Sequence, residues 1–171
     1  MTYSIAVLSH IMSTMRNKTT SMKTIDELQQ HIFALENMTV SEWYRGVAHS
    51  LHLEFGKLHK IKMHGHLGDV QGQEGDYSLF LHGAWTINSG DNEIDSIGND
   101  ISEIDLFIRD NSLDKCIKIE FNYKAKKLFL YFSDGSNINV KQEDDSWFVL
   151  TKHNEFSFSL KDGGTIEYSE K

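Results

Sequence analysis

The sequence predicts a mainly β fold of the α+β kind: an antiparallel meander forming a sandwich or half-barrel, with one N-terminal amphipathic helix. Three observations carry that expectation. Short alternations of apolar and polar residues recur from Val47 to Tyr168 with no helical pattern between them, as the strands of a meander do. Clusters of Gly, Asn, Asp and Ser separate them, and Asp134-Gly135 is the strongest hairpin signal. Upstream, Thr24-Ile-Asp-Glu27 has the pattern of a capping box, after which Ile25, Leu28, Ile32 and Leu35 recur on one helical face.

A chain of 171 residues, 39% hydrophobic and 25% charged, has the size and composition of one globular domain. The expected organisation is a loosely ordered N-terminal extension over 1–23 and a single β-rich domain over 24–171. In the extension Met1, Met12, Met15 and Met22 lie among polar residues without lasting periodicity. One cysteine, Cys116, excludes an internal disulfide and fits a reducing compartment. The apolar run YSIAVLSHIM has no positive segment before it and is too short to span a bilayer. The expected location is therefore cytoplasmic, with no membrane partner. Proline is absent, so Gly, Asn, Asp and Ser must punctuate every turn.

In chain order, the helix is expected over 24–37, ending at Asn37. Thr39-Val-Ser-Glu42 repeats the capping pattern and opens a short turn carrying Trp43 and Tyr44, closed by Gly46. From Val47 the period becomes two, which predicts a strand over 47–55 with 58–63 as its hairpin partner across Gly56-Lys57. HGHLGDVQGQEGD (64–76), with four glycines and little apolar material, reads as a mobile loop. Strands are then expected over 77–81, 84–88, 93–97, 102–109, 117–121, 128–132, 138–141, 147–151, 156–160 and 165–168. Turns fall at 89–91, 134–135 and 162–164.

The acidity of the chain is local. Between His66 and Asp114 stand eleven Asp or Glu against Arg109 alone, −10 over 49 residues in a chain whose whole charge is −8. Charge of one sign on one segment steers a basic partner. It also argues against nucleic-acid binding, which draws its affinity from Lys and Arg on phosphate.

Catalytic patterns are weaker. Nine histidines include His49, His52, His59, His64 and His66, but no cysteine pair or HExxH accompanies them, so no metal ligand set is assigned. Cys116 has no nucleophile signature around it; strand parity puts it with Lys118 and Glu120, opposite Ile117 and Ile119. GDVQGQEG lacks the Lys-Ser/Thr ending of a phosphate loop, and its own acids repel phosphate. No catalytic residue and no cofactor is expected.

Read as a strand, Ser102–Arg109 puts Ile104, Leu106 and Ile108 towards the core and Glu103, Asp105 and Phe107 outward. An aromatic between carboxylates has the composition of an interface anchor with a charged surround. The expected partner-binding set is Asp91, Glu93, Asp95, Asp100, Glu103, Asp105 and Asp110 around Phe107.

From Tyr77 to Leu150 the succession YSLFLHGAWTI, EIDSIGND, LFLYFSDGSNINV, then an acidic turn and Trp147, resembles small β-rich bacterial immunity proteins. Those proteins belong to polymorphic toxin and contact-dependent growth inhibition systems. The resemblance rests on core and turn positions (the Trp85 strand, Ser96 and Asp100, Asp134-Gly135, Trp147) and leaves out the helix and the histidines. It implies a protein that is not an enzyme and that neutralises a cognate toxin domain, often a basic nuclease, by binding it; the oligomeric state is left open, with a monomer favoured. Two other expectations stay open: a small-ligand-binding module or metal-dependent hydrolase using the histidine-rich 49–66 region, and a subunit joined through an unprotected sheet edge.

Overall fold

A strand that is apolar at every second position must lay one face on another apolar layer, and two sheets doing so against each other form a sandwich. The computed structural model describes residues 25–65, 68–82, 84–125, 127–141, 147–160 and 166–170. The expected extension over 1–23, His66 and the 162–164 turn lie outside them. The fold is mainly β, with antiparallel sheets in a sandwich-like arrangement and a helix near the N-terminal end.

The chain runs α1 (Ile25–Phe33), β1 (Val40–Arg45), β2 (Leu51–Phe55), β3 (His59–Gly65), β4 (Gly68–Glu74), β5 (Tyr77–His82), β6 (Ala84–Ser89) and β7 (Asn92–Asp95). It continues with α2 (Ile101–Asp110), β8 (Cys116–Asn122), β9 (Lys127–Phe132), β10 (Asn137–Lys141), β11 (Trp147–Lys152), β12 (Phe156–Leu160) and β13 (Ile166–Glu170). One sheet has six strands in the order β1-β2-β5-β11-β12-β13, the other five in the order β7-β6-β10-β9-β8, and β3-β4 form a separate two-stranded arm.

Register decides which residues meet. Leu51 and Leu53 stand opposite Leu81 and Leu79, and Phe148 and Leu150 stand opposite the same two leucines, so one face of the six-stranded sheet is continuously apolar. Trp85 pairs with Val140 and Ile87 with Ile138, which in turn face Leu128 and Leu130, giving the matching face of the five-stranded sheet. All belong to one core. Phe121 and Phe148 bridge the sheets edge to face at 6.0 Å. Each fully buried Leu, Ile or Phe contributes about 1.5–3 kcal/mol to that layer.

Several local expectations are corrected. Helix α1 is shorter than 24–37: after Phe33 it unwinds through turns, and Asn37 at φ 69° ends it, although Leu35 stays buried. Val40–Arg45 is a strand rather than a turn, and the chain reverses tightly at Val47–His49, so the strand expected over 47–55 starts only at Leu51. The partner of β2 is then β1, not 58–63. The supposed mobile loop supplies β4, which pairs with β3 from His59–Glu74 to Gly65–Gly68. Met63 packs over Gly72 on the paired strand, its Cε 2.6 Å from where a Cβ would stand.

The largest correction falls in the acidic segment. Ile101–Asp110 is a helix, not a strand, opened by a capping box with Asp100 at the N-cap and Glu103 at the third helical position. Alternation and helical spacing both fit ISEIDLFIRD, and the cap decides between them. Helix α2 lies against β1 and β7, edge strands of the two sheets. Its inward face is Ile104, Phe107 and Ile108; Leu106 faces out and is 47% exposed. A bulge in β8 between Cys116 and Lys118 likewise reverses the expected parity, burying Cys116 with Ile119 and leaving Ile117 exposed. The edge N–H of Ile119 is met by Glu36 Oε1 at 2.8 Å, so the chain beyond α1 blunts that edge.

Helix and strand make opposite predictions at Leu106, whereas Ile104 faces the core in both and serves as the reference. Ile104→Ala is expected to destabilise the protein by about 2–5 kcal/mol and Leu106→Ala by at most about 0.5 kcal/mol in urea unfolding. Equal losses at both would restore the strand.

Candidate functional site

The acidic segment folds by spending part of its own charge. Asp95 Oδ1 accepts the N–H groups of Ile97 (2.7 Å) and Gly98 (3.2 Å), while Asn99 Oδ1 accepts from Asp95 N at 2.8 Å. These bonds make the turn that aims α2. Glu103 accepts from Asp100 N at 3.0 Å and Asn99 Nδ2 at 3.1 Å; chiefly the Asn99 bond, then the Asp100 bond, hold its carboxyl below the usual range. Asp105 takes both nitrogens of the Arg45 fork, at 2.6 and 3.0 Å, tying α2 to β1. Asp110 pairs with its neighbour Arg109 at 2.7 Å and lies on the exposed side of the helix. Asp91 and Glu93 are exposed on the β6–β7 hairpin, where Glu93 stands opposite Asn88.

The eight expected residues thus lie along one continuous stretch but do different work. Asp95, Asp100, Glu103 and Asp105 build the turn, the helix cap and the tether. Asp91, Glu93 and Asp110 face solvent. Phe107 is not an exposed anchor: the helix turns it onto the core, where its ring meets Trp43 edge to face at 6.4 Å. The apolar side chains presented instead are Ile97, 70% exposed, Ile101, 46%, and Leu106, 47%. An Asp-x-x-Glu signal at Asp100 and Glu103, followed by helical spacing of Ile104, Phe107 and Ile108, was available in the sequence to find this.

A second cluster had no sequence signal. On the outward face of the six-stranded sheet, Glu54 in β2 is only 4% exposed. Its Oε2 accepts from Gly75 N at 2.8 Å and from the Ser78 hydroxyl. Burial pushes its carboxyl up to about 7, outweighing those two bonds, with Glu74 and Glu42 adding to the rise. Burial holds His52 neutral, with its pKa lowered to about 3. Its ring stacks on Tyr44 at 4.7 Å and meets Phe80 edge-on at 4.3 Å. Tyr44 is pushed up by burial first and then by Glu54, Glu42 and Glu74. At the rim, His59 Nε2 lies 2.7 Å from Asp76 Oδ1 and His153 Nδ1 lies 2.8 Å from Glu74 Oε2. The two imidazoles stack at 4.2 Å with planes 7° apart.

Among the described residues no group of three or more His, Cys, Asp or Glu is placed to hold a metal ion. The histidines expected as a group are dispersed. His52 is buried, His59 sits on a carboxylate, His49 lies in the β1–β2 reversal at φ 61°, and His64 pairs in backbone register with Asp69. Cys116 is buried and its thiol is pushed up to about 11, chiefly by burial, which suppresses nucleophilic reactivity.

Comparison with protein-family models, with curated proteins and with solved structures returns no match for this chain.

The buried imidazole sets a pH dependence. The folded pKa of His52 is depressed, so the unfolded chain binds the proton first and stability falls as pH drops from about 6.5 towards about 3. His52→Phe is expected to remove a part of that loss on the order of a few kcal/mol, read from urea midpoints across the range. An unaltered acid limb would show His52 to be solvated.

Proposed function

We propose that this protein is a cytosolic immunity protein that binds and neutralises a cognate toxin domain of basic, nuclease type through the surface formed by the β6–β7 hairpin and α2. The observation that supports the reading most is an arrangement: Ile97, Ile101 and Leu106 are exposed within 91–110, a stretch of seven Asp or Glu and one cation, Arg109. Apolar side chains in a charged surround are what a tight interface presents, with apolar contacts slowing release and charge speeding capture. Asp91 and Glu93 form the outward charge, Asp110 being paired with Arg109, and Asp95, Asp100, Glu103 and Asp105 hold the scaffold beneath it. The function is binding, without catalysis or cofactor.

This division alters which substitutions report on binding. Reversing Glu103 or Asp105 weakens the helix cap or the Arg45 tether and confounds folding with affinity. Asp91→Asn, Glu93→Asn, Ile97→Ser and Leu106→Ser leave those contacts intact. In a pull-down from the encoding organism at low and then moderate salt, the native protein is expected to retain one basic protein that the fourfold variant loses. Retention by both, or by neither, would remove this surface from the account.

One observation favours a different class, a small-ligand-binding module or hydrolase at the 49–66 region: the Glu54 carboxyl is held near neutrality beside the Ser78 hydroxyl. Stoichiometric zinc uptake, abolished by His64→Ala with His66→Ala, would move the assignment there.

A further inference from the structure

The β3–β4 arm belongs to neither large sheet, and the bonds at its base converge on carboxylates. Gly75, just past β4, donates to Glu54 at 2.8 Å and crosses so close to β2 that a Cβ there would meet Phe55 O at 2.6 Å. Glu74, the last residue of β4, meets His153 at 2.8 Å, beyond β11. Asp76 accepts from Lys57 N at 2.8 Å and meets His59, the first residue of β3, at 2.7 Å; its backbone oxygen accepts from His153 N at 3.0 Å. The β4 end of the arm is therefore fastened to a desolvated carboxyl through Gly75, and the β3 end to Asp76, the next residue along.

We infer that this base is a pH-operated clasp, closed while Glu54 is protonated and opened when Glu54 ionises. The inference is independent of the proposed toxin-binding surface. The groups facing Glu54 are Glu42 and Tyr44 from β1, Glu74 from the arm, Ser78 from β5 and His52 from its own strand. Tyr44 is held as the phenol and His52 as the free imidazole, so neither supplies a countercharge. An ionised Glu54 joins two other carboxylates with two hydrogen bonds to offset its lost hydration. That is less than burial removes. Water reaches it when the Gly75 crossing lifts, and the arm lifts with that crossing.

The sign follows from linkage. Closed, Glu54 has a raised pKa; open and hydrated, an ordinary one. Closure is complete below the ordinary value and is lost as pH rises through about 7. For such a pair of values, the opening equilibrium rises about tenfold between about pH 6 and about pH 8.

The test is amide hydrogen exchange of the full chain, corrected for intrinsic rates, comparing β3 and β4 with β5 and β11. In the native protein, protection of the arm is expected to fall about tenfold over that interval while the body changes little. Glu54→Gln keeps an acceptor for Gly75 and Ser78 without the charge, and its arm should show no such fall. The same variant separates Glu54 from the His59 and His153 contacts, which it leaves in place. A native arm with constant protection, or an equal fall in the variant, overturns the clasp. Where the variant does not fold, carboxyl carbon NMR of the native protein decides: Glu54 must titrate with the same midpoint as arm opening, and separate midpoints overturn the inference.

Discussion

Leu51, Leu53, Leu79, Leu81, Phe148 and Leu150 on one sheet and Trp85, Ile87, Leu128, Leu130, Ile138 and Val140 on the other form a single apolar layer. The parity that this layer imposes decides which side chains of its strands face outward. Because Leu53 and Phe55 must face inward, Glu54 must face outward, where it is nevertheless buried. Because Ile94 faces inward, Glu93 and Asp95 take the other side of β7. A single change of register on either strand would exchange those roles.

The acids of this chain fall into two physical classes. One class is structural: Asp95 shapes a turn, Asp100 and Glu103 cap α2, and Asp105 ties it to Arg45. Each meets backbone N–H groups or a guanidinium, so its charge is partly neutralised where it sits. The other class, Asp91 and Glu93 on the hairpin, is exposed and projects its field outward. The first class holds the second, and the apolar side chains among them, in one fixed arrangement. Glu54 stands apart from both, a carboxyl whose surroundings favour its uncharged form.

The sheet was legible wherever alternation met a firm turn. Asp134-Gly135 delivers its hairpin, with Gly135 at φ 86° and Asp134 Oδ1 accepting from Ser136 N at 2.9 Å. Strands β5, β6, β9, β10, β11 and β12 fall where period two puts them. Errors arose where two periods fit the same residues, as in ISEIDLFIRD, or where a bulge at Cys116 shifted parity. The arm was hidden for another reason. Its four-glycine segment lacks strand propensity, and only pairing with β3 makes it a strand, a tertiary effect that local pattern does not carry. Of the candidate surface, the charge is legible and the anchor is not: strand parity turns Phe107 outward and Leu106 inward, the reverse of their places on the helix, and nothing local marks Ile97 and Ile101 as exposed. The Glu54 cluster joins residues from β1, β2, β4 and β5, a juxtaposition that exists only after folding.

In the proposed function an outward acidic field captures a basic partner and exposed apolar side chains retain it. The most direct measurement is the association and dissociation rate of the native protein with its captured partner across ionic strength. The account predicts an association rate that falls at least about tenfold from about 20 to about 200 mM salt, with dissociation nearly unchanged. An association rate indifferent to salt would contradict it.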